Sequence, residues 1–299
     1  KWPGFEADAM RRVVERFNAS QTGITVQFTS ISGIARKLLT ATAGGNPPDV
    51  AGIWSSSLPS YAEHGALTPR DDDCQHAGIS AADYVPVVWT VCQYRGRTWA
   101  LPSTPGSTAL IWNKELFRRA GLDPETPPRT LAELDDFAAR LTRYDAQSNL
   151  VHLGFLPTEP GWWNFAWIHY FGGQVWDETN RITYDAPAGR AMFDWIAGYT
   201  QRYGLKALQQ FSAGFGNFAS PQNAFLAGKV AMVIQGVWMH NFIEKYAPGL
   251  EWGAAPFPAH DGVEPPVVYT EADVLVIPRG ARHPEAAFEF IRFVNTQPV

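Results

Sequence analysis

Hydrophobic periodicity divides the first fifty residues into alternating elements. Apolar residues recur at helical spacing over about residues 6–18 and again over 34–42, which predicts two amphipathic helices. Between these helices, apolar and polar residues alternate over 24–28, which predicts a strand. After the second helix, a short apolar run over 50–53 predicts another strand. Because helix and strand alternate, the pattern favours an α/β layer with parallel strands.

Turn and capping signals organise the next segment. Arg95-Gly96-Arg97 lies between two strand-like runs, 91–94 and 98–101, and predicts a hairpin. A strand is expected over 108–112. A helix is expected over 114–120, with Asn113 as its N-cap.

Further helix starts are marked by proline and hydroxyl residues. Thr130 and Glu133 have the spacing of a capping box. Pro187 stands at the first position of another predicted helix. Ser220-Pro221 predicts one more helix, which should end near Gly228.

The C-terminal third continues the mixed pattern. An apolar strand is predicted over 230–234, followed by a helix over 238–246. Two more strands are expected over 267–269 and 274–277. The last amphipathic helix should cover 284–295.

Size and charge exclude several functional classes. A chain of 299 residues suggests two domains, and 45% hydrophobic with 18% charged residues indicates a folded protein. The formal net charge is -5 and the sequence has no basic tract, so a nucleic-acid-binding protein is not expected, because phosphate binding needs clustered Lys and Arg. The chain contains no run of about 20 apolar residues that would span a bilayer.

Aromatic residues are unusually frequent, with 12 Trp, 18 Phe and 10 Tyr. Most of them should pack in the core. A buried indole still needs a partner for its N–H, so a surplus of Trp also favours a cleft lined by flat apolar faces. Such a cleft suits the C–H-rich face of a sugar ring.

The two cysteines leave their redox state open. Cys74 and Cys92 could form a disulfide if the chain is exported, or stay as thiols. Two cysteines without histidines at ligand spacing do not make a zinc site, and the seven His are scattered, so no metal or cofactor is expected.

Known catalytic motifs are absent, including GxSxG, HExxH, paired CxxC and the Walker A loop. One carboxylate pair keeps an enzymatic alternative open. Glu271 and Asp273 are two residues apart in a predicted strand, so they share a face at roughly 7 Å. That separation falls within the roughly 6.5–9.5 Å between the two catalytic carboxyls of inverting glycosidases. The simpler interpretation is that both carboxylates accept hydrogen bonds from ligand hydroxyls or from solvent.

Eight segments, in the same order along nearly the whole chain, resemble the extracellular solute-binding protein family 1 of ABC importers, the maltose-binding-protein-like group. The segments are Glu15-Arg16-Phe17-Asn18 with Gly23-Ile24-Thr25-Val26, then 43–50, 61–67, 94–102, 112–124, 225–232, Gly236-Val237-Trp238, and 284–291. The chain departs from the family where the usual glycine-rich stretch is replaced by Tyr269-Thr270-Glu271-Ala272-Asp273.

The resemblance implies a two-lobed α/β fold of the type II periplasmic-binding-protein kind. Lobe one is expected at 1–107 plus 268–299 and lobe two at 108–267, with crossover hinges near 103–113 and 257–268. The ligand would lie between the lobes and close them by hinge bending. The closed state would then be recognised by the transmembrane subunits of an ABC permease.

The expected ligand contacts come from loops that follow strands, from the first loop, from the hinge and from the Trp-rich segment. They are Glu6, Trp54, Ser55, Ser103, Thr104, Trp162, Trp163, Gly236, Trp238, Tyr269, Glu271 and Asp273.

The expected ligand is a mono- or oligosaccharide, bound without catalysis by a monomer. Glycerol-3-phosphate or a phosphodiester-like polyol is the alternative within the family, and a glycan hydrolase using Glu271 and Asp273 is the alternative from another class. The family usually has a strand before Trp2 and further residues after the last helix. We therefore expect a chain truncated at both ends, with a signal peptide upstream. It would act either free in the periplasm or lipid-anchored on the outer face of the membrane.

Overall fold

Two compact units make up the chain. The computed structural model describes residues 4–179, 181–216, 218–263 and 267–296. Within them, unit 1 comprises the residues up to Gly106 and those from Thr270 onward, and unit 2 is Ser107–Tyr269. Part of the hinge expected at 257–268, residues 264–266, lies outside the described residues.

Unit 1 contains six helices and the strands that they cover. Its helices are α1 (Gly4–Ser20), α2 (Ile34–Ala43), α3 (Leu58–Glu63), α4 (Asp71–His76), α5 (Pro86–Thr90) and α12 (Pro284–Asn295). Its strands are β1 (Ala51–Trp54), β2 (Gln93–Tyr94), β3 (Arg97–Thr98), the first half of β4 (Ala100–Asn113) and β9 (Thr270–Val276).

The sheet of unit 1 separates two apolar cores. Strand β9 lies between β1 and β4 and is antiparallel to β1, with Trp54 opposite Asp273. Ala272, Val274 and Val276 face one core, which includes Leu38 and Tyr61. Leu275 faces the opposite core, which α1 and α12 complete with side chains that include Phe17 and Phe290.

Unit 2 contains the remaining helices and strands. Its helices are α6 (Lys114–Arg119), α7 (Leu131–Leu141), α8 (Trp167–Tyr170), α9 (Pro187–Tyr203), α10 (Leu205–Ser212) and α11 (Met239–Tyr246). Its strands are the second half of β4, β5 (Arg143–Tyr144), β6 (Leu150–His152), β7 (Met232–Gly236) and β8 (Trp252–Ala255).

A single aromatic-rich core holds unit 2 together. The second half of β4 pairs antiparallel with β7 and with β8. Around them pack Phe155, Trp167 and Phe257, whose ring centroids lie 5.1–6.4 Å apart. Edge-to-face and tilted arrangements of this kind are favourable for aromatic pairs, and they account for much of the chain's aromatic content.

Several local predictions are confirmed. The turn Arg95-Gly96 joins β2 to β3, and both residues have positive φ (49° and 72°), as a two-residue hairpin turn requires. The Asn113 side chain caps α6 by accepting from the Leu116 N–H at 3.0 Å. The last helix has the predicted bounds, Pro284–Asn295.

The expectation of parallel strands is wrong for the strand pairs whose register is described. β1 with β9, and β4 with both β7 and β8, are antiparallel. A helix between two strands favours parallel pairing only when the strands become neighbours. Here the late strand β9 returns to lie beside β1, so strands distant in sequence pair instead.

The alternation over 24–28 does not give a strand. These residues, all described, form no ladder. One side chain near the end of α1 and one just after that helix bond to this backbone instead. Asn18 exchanges two hydrogen bonds with Val26 at 2.8 and 3.0 Å, and Gln21 does the same with Ile24 at 2.6 and 2.7 Å.

Two helix-start predictions need correction. Residues 221–228 form consecutive turns rather than a helix, because the Asn223 side chain accepts from the Phe225 N–H at 2.9 Å and competes with helical bonding. At α7 the Thr130 hydroxyl does accept from the Glu133 N–H. The Glu133 carboxylate, however, accepts from the Arg129 N–H at 2.7 Å, so the reciprocal bond of a capping box goes to the neighbouring residue.

Candidate functional site

In unit 1, three of the expected ligand residues share one face of the sheet. Trp54 ends β1 and stands directly across from Asp273 on β9, so their side chains project to the same side. Glu271 is two residues earlier on β9 and shares that face. An aromatic ring and two carboxylates at one strand end could stack on a sugar and accept its hydroxyl hydrogens.

The hydroxyl residues expected at this end bond to the backbone of β9. The buried Ser55 oxygen accepts from the Ala272 N–H at 3.2 Å. The Ser103 hydroxyl donates to the Asp273 carbonyl at 3.1 Å. Both side chains therefore fix the strand that carries the two carboxylates. Thr104 is exposed on β4.

Glu6 was expected in a loop before the first helix, but α1 begins at Gly4 and places Glu6 in its first turn. A carboxylate at this position interacts favourably with the positive end of the helix dipole. The expectation that Glu6 contacts the ligand stays a prediction.

In unit 2, the end of β7 is built around the ring of Trp238. A β-carbon added to Gly236 would lie 2.2 Å from two carbons of that ring, so only glycine lets the indole lie over the strand end. The indole N–H donates to the buried Gln235 side-chain oxygen at 3.3 Å. Trp238 is half-buried, which leaves part of the ring available to a ligand.

Trp162 and Trp163 have different environments. Trp163 is buried in the core, with its ring centroid 5.9 Å from that of Trp238 at an angle of 32°. It therefore supports the Trp238 ring instead of presenting a free face. Trp162 is 50% exposed and packs edge-to-face on Phe218 with centroids 4.2 Å apart.

Tyr269 is fixed on the other side of β4. Its carbonyl accepts from the Thr108 N–H at 3.0 Å and from the Thr108 hydroxyl at 3.2 Å. Its ring meets the exposed ring of Phe165 edge-to-face at 5.7 Å. Since Thr108 is also the cross-strand partner of Gly236, both aromatic groups stand at the same end of the unit 2 strands.

Glu159 is a candidate that the sequence reasoning missed. It is half-buried, three residues before Trp162, and desolvation raises the pKa of its carboxyl from 4.5 to about 7. A partly dehydrated carboxyl is well suited to accept a hydrogen bond from a ligand hydroxyl. The available signal was an acidic residue followed by Pro160-Gly161 inside the Trp-rich segment.

Glu159→Gln should stabilise the protein above neutral pH. Below about pH 4.5 the carboxyl is neutral in the folded and unfolded states alike, so it contributes no pH-dependent difference. Between about pH 4.5 and 7 the unfolded chain loses this proton while the fold keeps it, so stability falls over that range. Above about pH 7 the fold carries a poorly solvated charge and the loss is complete. After a discount for partial exposure, the variant should gain about 1–2 kcal/mol at pH 8. Thermal unfolding from pH 4.5 to 8 measures this gain.

Glu178→Gln is the matched control, because Glu178 is an exposed glutamate of the same unit. Its unfolding profile should follow that of the unmodified chain at each pH. If the two variants were equally stable at pH 8, desolvation of Glu159 would not be the source of the effect.

The two cysteines are free thiols in the structure, and both are buried. Burial, with smaller contributions from Asp73 and Asp71, raises the pKa of Cys74 to about 11. Burial and the nearby Cys74 raise that of Cys92 to about 12. Since the thiolate is the reactive form, neither thiol is suited to nucleophilic or redox chemistry.

The described part of the chain also has neither a cluster of metal ligands nor a membrane-spanning helix. There, no three His, Cys, Asp or Glu side chains come together as metal ligands. Nor does any described helix have the length and apolar character needed to cross a membrane.

The fold resembles that of solved sugar-binding proteins. The mannobiose-bound structure of CpMnBP1 superposes with a TM-score of 0.89 at 30% identity, covering 98% of this chain and 75% of that one. This similarity confirms the expected two-lobed periplasmic-binding-protein-like fold.

Sequence relatives with assigned ligands are more distant. The maltotriose-binding protein of Pyrococcus abyssi is 23% identical over 298 residues, which is 98% of this chain but 60% of the Pyrococcus protein. The sn-glycerol-3-phosphate-binding periplasmic protein UgpB of Escherichia coli K12 is 28% identical over 150 residues, which is 47% of this chain and 34% of UgpB.

The family itself is shown by a match over almost the whole sequence. The family model described as bacterial extracellular solute-binding protein matches residues 6–298. With the shared fold, this match confirms the resemblance inferred from the eight sequence segments. The chain belongs to the bacterial extracellular solute-binding protein family.

Proposed function

We propose that this chain is the ligand-binding protein of an ABC importer and binds a mono- or oligosaccharide. The observation that carries the proposal is the strand end of unit 2, where Gly236 leaves room for the Trp238 ring. Trp163 supports that ring from the core. A half-exposed, fixed aromatic face is a platform for the C–H face of a sugar.

Each unit also carries polar side chains that suit a ligand with hydroxyl groups. In unit 2, Glu159 supplies a carboxyl close in sequence to Trp162, and the Gln235 side-chain oxygen accepts from the Trp238 indole N–H. In unit 1, Glu271 and Asp273 add carboxylates beside Trp54. Carboxylates accept hydrogen bonds from hydroxyls and would repel an anionic ligand.

A sugar ligand is also consistent with the named relatives. CpMnBP1 was solved with mannobiose and the Pyrococcus protein is named for maltotriose. The proposal includes the sequence-based expectations that the ligand selects a closed state of the two lobes, that an ABC permease recognises this state, and that the chain acts as a monomer on the outer side of the membrane.

A phosphorylated polyol is the second candidate. UgpB is one of the relatives, and α11 begins at Met239, directly after Trp238, so first-turn amide groups lie near the platform. Helix N-termini favour phosphate groups. The carboxyl of Glu159 acts against an anion, and we therefore place this candidate second.

The hydrolase alternative has weaker support. A glycosidase needs two carboxyls on opposite sides of one bond. Glu271 and Asp273 instead project from one face of one strand. We propose that they contribute to binding and not to catalysis.

The test is calorimetric titration of the full chain with mannose, mannobiose, maltotriose and sn-glycerol-3-phosphate, followed by mass analysis of the recovered ligand. Saturable binding of a sugar that is recovered intact supports the proposal. Binding of the phosphate alone would favour the second candidate, and cleavage products would favour the hydrolase. Absence of binding to all four ligands would overturn the sugar assignment.

A further inference from the structure

Tyr170, the last residue of α8, places a hydroxyl group in the apolar core of unit 2. The side chain is 2% exposed, and its ring contacts those of Trp167 and Phe257, with centroids 5.6 and 5.1 Å away. A phenylalanine would fill the same space without a polar atom. A buried hydroxyl costs free energy unless it is hydrogen-bonded, so its partners indicate its role.

The partners of this hydroxyl are Thr108 and the backbone of Tyr269. The Tyr170 and Thr108 hydroxyls lie 3.3 Å apart. Because Thr108 donates its hydroxyl proton to the Tyr269 carbonyl at 3.2 Å, Tyr170 is the donor between the two hydroxyls. Burial raises the pKa of Tyr170, and hydrogen bonds with the Thr108 side chain and the Tyr269 backbone offset part of this rise. The three residues therefore form one connected network of hydrogen bonds.

This network lies where two segments of the chain leave unit 2. The unit begins one residue before Thr108 and ends at Tyr269. Thr108 pairs across the strands with Gly236, the residue that leaves room for the indole platform. From Tyr269 the chain continues directly into β9, which carries the expected ligand residues Glu271 and Asp273. The network thus fixes backbone that adjoins several expected ligand contacts.

We propose that Tyr170 is a positioning residue for ligand binding, whose hydroxyl acts through Thr108 to hold the Tyr269 backbone in the conformation that binds the ligand. This inference rests on the proposed sugar-binding function and refines it. A site that is ordered before the ligand arrives loses less conformational entropy on binding. Without the hydroxyl, the ligand itself would have to order the backbone at Tyr269, and the affinity would fall.

A second buried pair of tyrosine and threonine in unit 2 provides a matched control. The Tyr203 and Thr142 hydroxyls also lie 3.3 Å apart, and Thr142 likewise donates its proton to a backbone carbonyl, that of Ala138. This pair joins the end of α7 to the end of α9, away from the unit boundaries in sequence. Removal of either tyrosine hydroxyl should therefore destabilise the fold to a similar extent, whereas only the Tyr170 hydroxyl should affect the ligand.

The experiment compares Tyr170→Phe and Tyr203→Phe with the unmodified full chain, by amide hydrogen exchange without ligand and by calorimetry with mannobiose and maltotriose. In Tyr170→Phe, exchange should accelerate about tenfold or more in peptides that contain Tyr269, because a local restraint is lost. Its affinity for the sugar that binds should fall about 5- to 20-fold. In Tyr203→Phe, the exchange at Tyr269 and the affinity should both match those of the unmodified chain.

Two substitutions at Thr108 test the same network from its other side, independently of how well Tyr170→Phe folds. Thr108→Val replaces the hydroxyl by a methyl group of similar size and should reproduce the loss of affinity. Thr108→Ser retains the hydroxyl and should keep most of the affinity. Equal affinities of the valine and serine variants would contradict a role for the hydroxyl network.

An unchanged affinity in Tyr170→Phe would overturn the positioning role while leaving sugar binding intact. An equal loss in Tyr203→Phe would also overturn it, because removal of any buried hydroxyl would then suffice. If the unmodified chain bound neither sugar, the proposed function itself would fail. The exchange measurement needs no ligand, so unchanged exchange at Tyr269 in Tyr170→Phe would by itself show that the hydroxyl does not hold this backbone.

Discussion

Trp238→Ala should weaken sugar binding by about 30-fold or more. The ring is held in place by Trp163, by Gln235 and by the absence of a side chain at Gly236. Its truncation removes a pre-ordered aromatic face, and the loss of a central aromatic anchor typically costs about 2 kcal/mol or more in binding. Calorimetric titration with the tightest-binding sugar of the panel measures the loss.

Trp176→Ala provides the control for this substitution. Trp176 is 60% exposed in the same unit, and its backbone pairs with Ile182 and not with β7, so its removal deletes an indole of equal size outside the β7 strand end. Its affinity for the sugar should match that of the unmodified chain. If both variants bound equally well, the Trp238 platform would not be part of the site.

Gly154→Ala should lower the free energy of unfolding of unit 2 by about 3 kcal/mol. An added β-carbon would lie 2.1 Å from the Ala138 carbonyl oxygen and 2.4 Å from its α-carbon, both in the backbone of α7. Backbone atoms cannot rotate away, so α7 must move away from the backbone at Gly154, and such overpacking costs up to about 3 kcal/mol. Urea unfolding followed by circular dichroism measures the loss.

Gly198→Ala is the opposite case and serves as its control. Gly198 lies inside α9, and a β-carbon there would meet no atom within 4 Å beyond the helix itself. Alanine should therefore raise stability by about 0.5–1 kcal/mol, through its better helix propensity. A loss of stability in both variants would mean that local crowding does not explain the effect at Gly154.

Elements whose stabilising interactions are local could be predicted from the sequence. The capping side chain of Asn113, the two-residue turn Arg95-Gly96 and the apolar face of α12 each depend on residues within a few positions of one another. Their spacing is visible without the fold. The helix bounds accordingly agree within one or two residues at α1, α2 and α12.

Strand pairing could not be predicted because it depends on residues far apart in sequence. Nothing near β1 indicates that its partner is β9, more than two hundred residues later. Likewise, the alternation over 24–28 gives the right pattern of exposure, yet Asn18 and Gln21 bind its backbone and no ladder forms. Periodicity reports which side of a segment is covered, but not what the backbone bonds to.

In the candidate site, too, some features could be predicted from neighbouring residues and others depend on packing. Gly236 and Trp238 stand out in the sequence because a glycine at a strand end often accommodates a nearby ring, and the structure has that arrangement. Trp162 and Trp163 look alike in the sequence, and only the packing distinguishes the exposed indole from the buried one. Glu159 was missed because its interest lies in partial burial, which no local pattern encodes.

The buried thiols have a practical consequence for studying ligand binding in solution. A maleimide dye reacts with thiolate, and at neutral pH Cys74 and Cys92 remain almost wholly protonated and enclosed. A single cysteine introduced at the exposed Val237, between Gly236 and Trp238, would then be the site that takes the label. The chain could thus become a fluorescent sugar sensor with its two native cysteines left in place.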